Sequence, residues 1–215
     1  MVLDVQWAIA WLTLSAKAMT EHREELIELD RAIGDSDHGE NMDRGFQAVV
    51  AKLAETPPET PGAALKLAAM ALMSKVGGAA GPLYGTAYLR AATSMGDATE
   101  LDGGALATAL EAARDGIVAR GKAELGDKTM VDAWSPAVEA AQAAAVDGPG
   151  PVLRAAAEAA AAGAVATDPL VARKGRASYL GERSAGHRDP GAASTALLLK
   201  AAADAAGETL PESPE

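Results

Sequence analysis

Along nearly the whole chain, apolar residues recur at three- and four-residue spacing, and β-branched runs of strand length are missing. A polypeptide with that period has one economical way to bury its apolar face, as helix packed on helix. Breaks rich in Gly, Pro and Asp divide the pattern into about eight helices. They run Leu3 to Asp30, Gly39 to Glu55, Pro61 to Lys75, Ala79 to Met95, Gly103 to Lys122, Thr129 to Val146, Pro151 to Ala166 and Pro190 to Ala206. Only 3% of residues are aromatic although 49% are hydrophobic. The interior is therefore expected to be built from Ala, Leu, Val and Met, in helices that approach closely. The expectation is an all-α fold, with one domain over residues 1–208 and a frayed tail over 209–215.

Charge and cysteine usage exclude several functions. A net charge of -11 argues against nucleic acid or an anionic membrane surface as the main partner, because both reward a basic face. No Cys is present, so disulfides and thiolate-bound zinc are ruled out and oxygen ligands remain as the metal chemistry. The N-terminal stretch from Met1 to Trp11 lacks a basic leader, and no run is long enough to span a bilayer. The chain reads as cytoplasmic.

Two connections differ from ordinary turns. The first is Gly34-Asp35-Ser36-Asp37-His38-Gly39, which follows a helix whose residues Leu12, Ala16, Met19, Leu26 and Asp30 share one face. Asp30 thus extends the core stripe and turns inward, where a lone charge is costly. Asp35 and Asp37 alternate in the loop and can turn toward the same point. Three such carboxylates repel one another by ~4 kcal/mol per pair at about 4 Å and an effective dielectric of about 20. A hard divalent cation, magnesium above all, relieves that repulsion. One Mg²⁺ would leave the cluster negative, whereas two would leave it positive and able to receive a diphosphate. The loop by itself is equally compatible with an exposed Asp-rich turn that caps the helix at Asn41. An EF-hand does not fit, since Phe46 and Glu40 stand where Glu and Gly are needed.

The second connection, Thr167 to Asp189, is too long for a plain link in a helical bundle. It carries Arg173, Lys174, Arg176, Arg183 and Arg188 in an otherwise acidic protein, and arginine suits phosphate recognition. A solvated flexible loop is the alternative reading. Gly77-Gly78-Ala79-Ala80-Gly81-Pro82 is either a tight turn or an anion site at a helix N-terminus. The segment Gly121 to Thr129 approaches a phosphate-loop motif, but Asp127 intervenes between Gly126 and Lys128 and a helix precedes it. Asp127 or Thr129 is expected instead to cap the helix carrying Met130 and Asp132. Ser184, His187 and Asp189 can be drawn as a hydrolase triad, but no nucleophile elbow supports it.

Gly34 to Gly45, Gly77 to Pro82, Gly126 to Asp132 and Gly175 to Gly191, in that order and spacing, resemble the L subunits of dihydroxyacetone kinases across almost the whole chain. The resemblance implies a closed barrel of eight antiparallel helices with a nucleotide site at one end. It implies ADP or ATP with two Mg²⁺ held by Asp30, Asp35 and Asp37. His38, Gly39, Glu40 and Asn41 would line the nucleotide, with Ala79 and Ala80 in the glycine turn. Gly121 and Met130 would border base and ribose, while Arg176, Asp189, Pro190 and Gly191 close the pocket. Arg176 would also neutralise charge in the reaction. Family members often carry Ser where this chain has Ala80, so a backbone contact survives there and a hydroxyl contact does not.

The same resemblance implies partners. A separate K subunit would hold dihydroxyacetone and receive the γ-phosphate, and a phosphohistidine M subunit of the phosphotransferase system would rephosphorylate bound ADP. Alone, the chain is expected to be inactive. Alternatives from other classes are a nucleotide-dependent regulatory module and an ATP-exchanging kinase subunit for a related short ketose.

Overall fold

The structure, a computed structural model, describes residues 3–207; the expected tail at 209–215 lies outside the described residues. Its helices are α1 (Val5–Glu21), α2 (Arg23–Ile33), α3 (His38–Glu55), α4 (Pro61–Lys75), α5 (Ala80–Met95), α6 (Gly103–Gly121), α7 (Val131–Ala143), α8 (Pro149–Ala166) and α9 (Pro190–Ala205). Short 3₁₀ segments occupy Ala145–Asp147 and Arg176–Ser184. The all-α expectation is met.

Local sequence explains many of the boundaries. Asp4, Thr60, Asp102 and Asp189 cap α1, α4, α6 and α9 through their side chains, each satisfying an orphan N–H of the first turn. Pro61 and Pro190 stand in first turns, where their missing N–H costs nothing.

Each helix packs on the next, from α3 through α9, and α1 closes the ring by contacting both α9 and α3. The direction of the closing pair follows from two hydrogen bonds. Trp7 Nε1 donates to the Ala202 carbonyl at 3.1 Å and Trp11 Nε1 to that of Leu198 at 2.9 Å. Four residues forward on α1 is four residues back on α9, so the pair is antiparallel. An even number of helices lets this alternation close without a parallel seam. Consequently the α2–α3, α4–α5, α6–α7 and α8–α9 connections all emerge at one end.

The barrel interior is filled from several walls. Trp7 stacks on Trp11 with centroids 5.2 Å apart, Trp11 meets Tyr88 at 5.5 Å, and Phe46 meets Tyr88 edge-on at 6.2 Å. Alanines and leucines complete the core. Where α7 and α8 approach closely a side chain is excluded: a Cβ on Gly163 would overlap the Asp132 carbonyl, so glycine there lets α8 lie against α7. No helix among the described residues is long and apolar enough to cross a membrane.

Two expectations need correction. The first helix is two, because His22 leaves the helical region (φ -97°, ψ 12°). Neither Gly nor Pro marks this break; α2 tilts onto α3 and α9, and that tertiary contact overrides the continuous apolar period. The predicted helix from Thr129 to Val146 is shorter, with a 3₁₀ turn at its end. The long connection contains two 3₁₀ turns joined at Gly181 (φ 56°). Trp11→Ala removes both a stacked ring and the bond that closes the ring of helices, and should cost ~4 kcal/mol of stability, measurable as a lowered midpoint in urea unfolding.

Candidate functional site

The four connections at the common end surround a cleft of about 200 Å³. One wall begins with Asp30 in the last turn of α2, 7% exposed. Its Oδ2 accepts the backbone N–H groups of Asp37 at 2.8 Å and His38 at 3.1 Å. The N-terminus of α3 is therefore capped from outside, by the preceding helix, and the Asp37 side chain makes no capping bond. This differs from a turn capped by its own aspartates. A Cβ at Gly34 would overlap Asp30 Oδ1, so that position must be glycine for the carboxylate to fold over it.

Asp30, Asp35 and Asp37 each offer a carboxylate oxygen, and these oxygens lie within 4.8 Å of one another. The donors are all hard oxygens, which fits magnesium. Arg176, reaching over from the long connection, pairs with Asp35 at 2.8 Å. Ser36 takes φ 65°, a left-handed conformation that lets the loop double back between the two aspartates.

The opposite wall is Gly77, Gly78, Ala79 and Ala80. No side chain caps α5, so its first amide groups are open to an acceptor. Asn41 lines the cleft and is oriented by a hydrogen bond from Arg44. Met130, Thr129 and Lys128 form the third side, and Asp189, Pro190 and Gly191 the fourth.

Beneath the cleft, His38 Nε2 meets Ser194 Oγ at 2.9 Å. Tyr84 is completely buried; its hydroxyl donates to the Gly191 carbonyl at 3.0 Å and contacts Ser194 and Thr195 at 2.7 and 2.8 Å. This network pins α3, α5 and α9 together where they start. Burial lowers the pKa of the His38 ring, against the opposing charges of Asp30 and Asp37. Burial also pushes the Asp189 carboxyl up to about 7, although the N–H of Ala192 partly offsets this.

Of the residues expected from sequence, the cleft gathers Asp30, Asp35, Asp37, His38, Asn41, Ala79, Ala80, Met130, Arg176, Asp189, Pro190 and Gly191. Gly39, Glu40 and Gly121 are not in its lining. Gly39 packs against the Arg23 carbonyl on α2, Glu40 turns outward to Arg23 at 2.7 Å, and Gly121 lies beside Leu83. At the start of α7 the expected cap is Thr129, whose Oγ1 accepts the Val131 N–H at 3.2 Å; Asp132, inside the first turn, accepts from Gly126 and Thr129, while Asp127 accepts from Glu124. The hydrolase constellation fails on Ser184. Its buried hydroxyl donates to Gly181 and accepts from Ala172, a structural role. Sequence reasoning missed Lys128, Tyr84 and Ser194; of these only Lys128 had a signal, in the near phosphate-loop motif.

An all-α barrel with an acidic oxygen cluster and an uncapped helix N-terminus at one mouth defines a class of helical domain suited to an anion–metal pair. A family model described as the DAK2 domain matches residues 32–204, and the chain belongs to that family. The PEP-dependent dihydroxyacetone kinase ADP-binding subunit DhaL of Escherichia coli is 46% identical over 202 residues, covering 93% of this chain and 96% of that subunit. Its Listeria innocua counterpart is 44% identical over 201 residues, covering 94% and 96%. The crystal structure of the dihydroxyacetone kinase of C. freundii superimposes with a TM-score of 0.70 at 25% identity, over 92% of this chain and 34% of the kinase chain. The same kinase in complex with AMP-PNP and Mg²⁺ gives 0.67 at 26% identity, over 92% and 33%. This chain thus spans about a third of the solved kinase.

With its pKa raised, Asp189 keeps its proton in the folded chain up to about pH 7, while the unfolded chain loses it near pH ~4. Its contribution to stability is complete at low pH and is lost as pH rises from about 4 to about 7. In buffer with chelator, Asp189→Asn should raise Tm by ~3 °C at pH 8 and by less at pH 5. Thermal unfolding at the two pH values checks this.

Proposed function

We propose that this chain is the nucleotide-carrying subunit of a dihydroxyacetone kinase. Its role is to present the γ-phosphate of ATP to dihydroxyacetone held on a separate K subunit. The observation that carries the reading is the convergence of Asp30, Asp35 and Asp37 within 4.8 Å beside an uncapped helix N-terminus. Relatives named ADP-binding subunits, matched over nearly their full length, support it.

In this reading the three aspartates hold two Mg²⁺, and the amides around Ala79 and Ala80 receive phosphate oxygens. A bound magnesium nucleotide supplies the phosphoryl group and neutralises the charge that develops as it moves. Arg176 adds donors at the open side of the cleft. Met130 and Pro190 offer the apolar surface against which a base or ribose rests. His38, Asn41 and the Asp189-Pro190-Gly191 turn shape the remaining wall. Catalysis here is chiefly positioning and charge stabilisation, and no group of this chain is required as general base.

The partner assignments follow the same reading. A phosphohistidine M subunit rephosphorylates ADP that stays bound, the K subunit supplies the acceptor, and the chain alone turns nothing over. The L-erythrulose 1-kinase of Mycolicibacterium smegmatis is 36% identical, and this chain covers 34% of it. The higher identity to the dihydroxyacetone kinase subunits favours dihydroxyacetone as acceptor.

Calorimetric titration with ADP and Mg²⁺ tests the binding claim. The wild-type chain is expected to carry or bind ADP, and Asp35→Asn to weaken binding by about 10-fold or more. Equal binding by both, or none by either, would remove the basis of the proposal. Reconstitution with K and M subunits and phosphoenolpyruvate is expected to give dihydroxyacetone phosphate only when all three are present.

A further inference from the structure

The segment from Gly126 to Thr129 has an arrangement that the phosphate contacts proposed above leave unexplained. Lys128 is 1% exposed and takes a left-handed backbone conformation at φ 61°. An L residue is held there only when its surroundings require it. Here Asp132 supplies the constraint: its two oxygens accept Gly126 N–H at 2.5 Å and Thr129 N–H at 2.8 Å, on either side of Lys128. The turn so formed directs the Lys128 side chain inward, beneath the cleft. Its ammonium donates to the carbonyls of Thr167 at 2.5 Å and Asp168 at 3.3 Å, just past the C-terminus of α8.

Those two acceptor residues also hold the far end of the long connection. Thr167 Oγ1 accepts the Asp189 N–H at 3.0 Å, and the Asp168 carbonyl accepts the Gly186 N–H at 2.7 Å. The Asp168 carboxylate accepts from Arg188 Nε and Nη2, each at 3.1 Å. The Lys128 ammonium therefore joins the wall that carries Met130 to the wall that carries Asp189, Pro190 and Gly191. The two walls touch, since a Cβ on Gly191 would lie 3.4 Å from Met130 Cβ.

We propose that Lys128 is a positioning residue, an internal strut that sets the separation of these two walls and so the fit of the nucleotide between them. This rests on the reading of the cleft as a nucleotide site. Lysine suits the task because a compact ammonium can donate to two carbonyls at once. Its charge also complements the negative end of α8. Burial lowers the Lys128 pKa, while the charges of Asp189, Asp168 and Asp132 oppose that shift.

The test uses the full chain with Lys128→Met, Lys128→Arg and Thr167→Val, the last removing the hydroxyl that accepts the Asp189 N–H while leaving the carbonyl that Lys128 meets. Lys128→Met should weaken Mg-ADP binding about 10-fold and speed hydrogen exchange at the Gly186 and Asp189 amides. Exchange in α3, α4 and α5, and binding of Mn²⁺ without nucleotide, should stay as in wild type. Lys128→Arg should restore most of the affinity, and Thr167→Val should weaken it in the same direction. Wild-type affinity and exchange in Lys128→Met would overturn the proposal, as would a loss of protection spread evenly through the helices. If the wild-type chain bound no ADP, the nucleotide reading would fail, while the exchange measurement would still decide whether the strut exists.

Discussion

A buried carboxylate must find donors, and Asp30 finds two in the backbone at the start of the next helix. That single arrangement fixes the angle between α2 and α3 and places one oxygen among those of Asp35 and Asp37. It also leaves the loop aspartates free of capping duty. Were Asp37 to cap α3 itself, its carboxylate would be committed to the helix and the cluster would lose a member. The conversion of an acidic turn into a potential metal site thus depends on which aspartate satisfies the helix.

Ring closure does the rest of the positioning. With alternating directions, the α2–α3, α4–α5, α6–α7 and α8–α9 connections come to the same mouth, though they are far apart in sequence. The tryptophans of α1 close the ring on α9, and Tyr84 ties α5 to the first turn of α9. The mouth is therefore bordered by helix termini whose separation is set by a packed core. That rigidity suits a site whose work is to hold charged groups in place.

Much of this was legible before any coordinates. Pro61 and Pro190 mark helix starts, and Asp30 declares itself by its place on the apolar stripe of the helix. The resemblance to dihydroxyacetone kinase L subunits supplied the ring. What was hidden depends on contacts remote in sequence. His22 interrupts an uninterrupted period because α2 leans on other helices. Glu40 turns outward because Arg23 is there to meet it. Lys128 reads as a surface cation until Asp132, four residues on, turns its backbone left-handed and a carbonyl pair some forty residues away receives it. The uncapped start of α5 cannot be told from an ordinary glycine turn without knowing that it faces the aspartates.

The central claim is that Asp30, Asp35 and Asp37 hold the metal of a nucleotide at the mouth of the barrel. Anomalous diffraction from crystals grown with ADP and Mn²⁺ tests it most directly. The account predicts two manganese peaks against those three carboxylates, with the diphosphate between them and the Gly77 to Ala80 turn. Manganese bound elsewhere, or nucleotide density away from the aspartates, would contradict it.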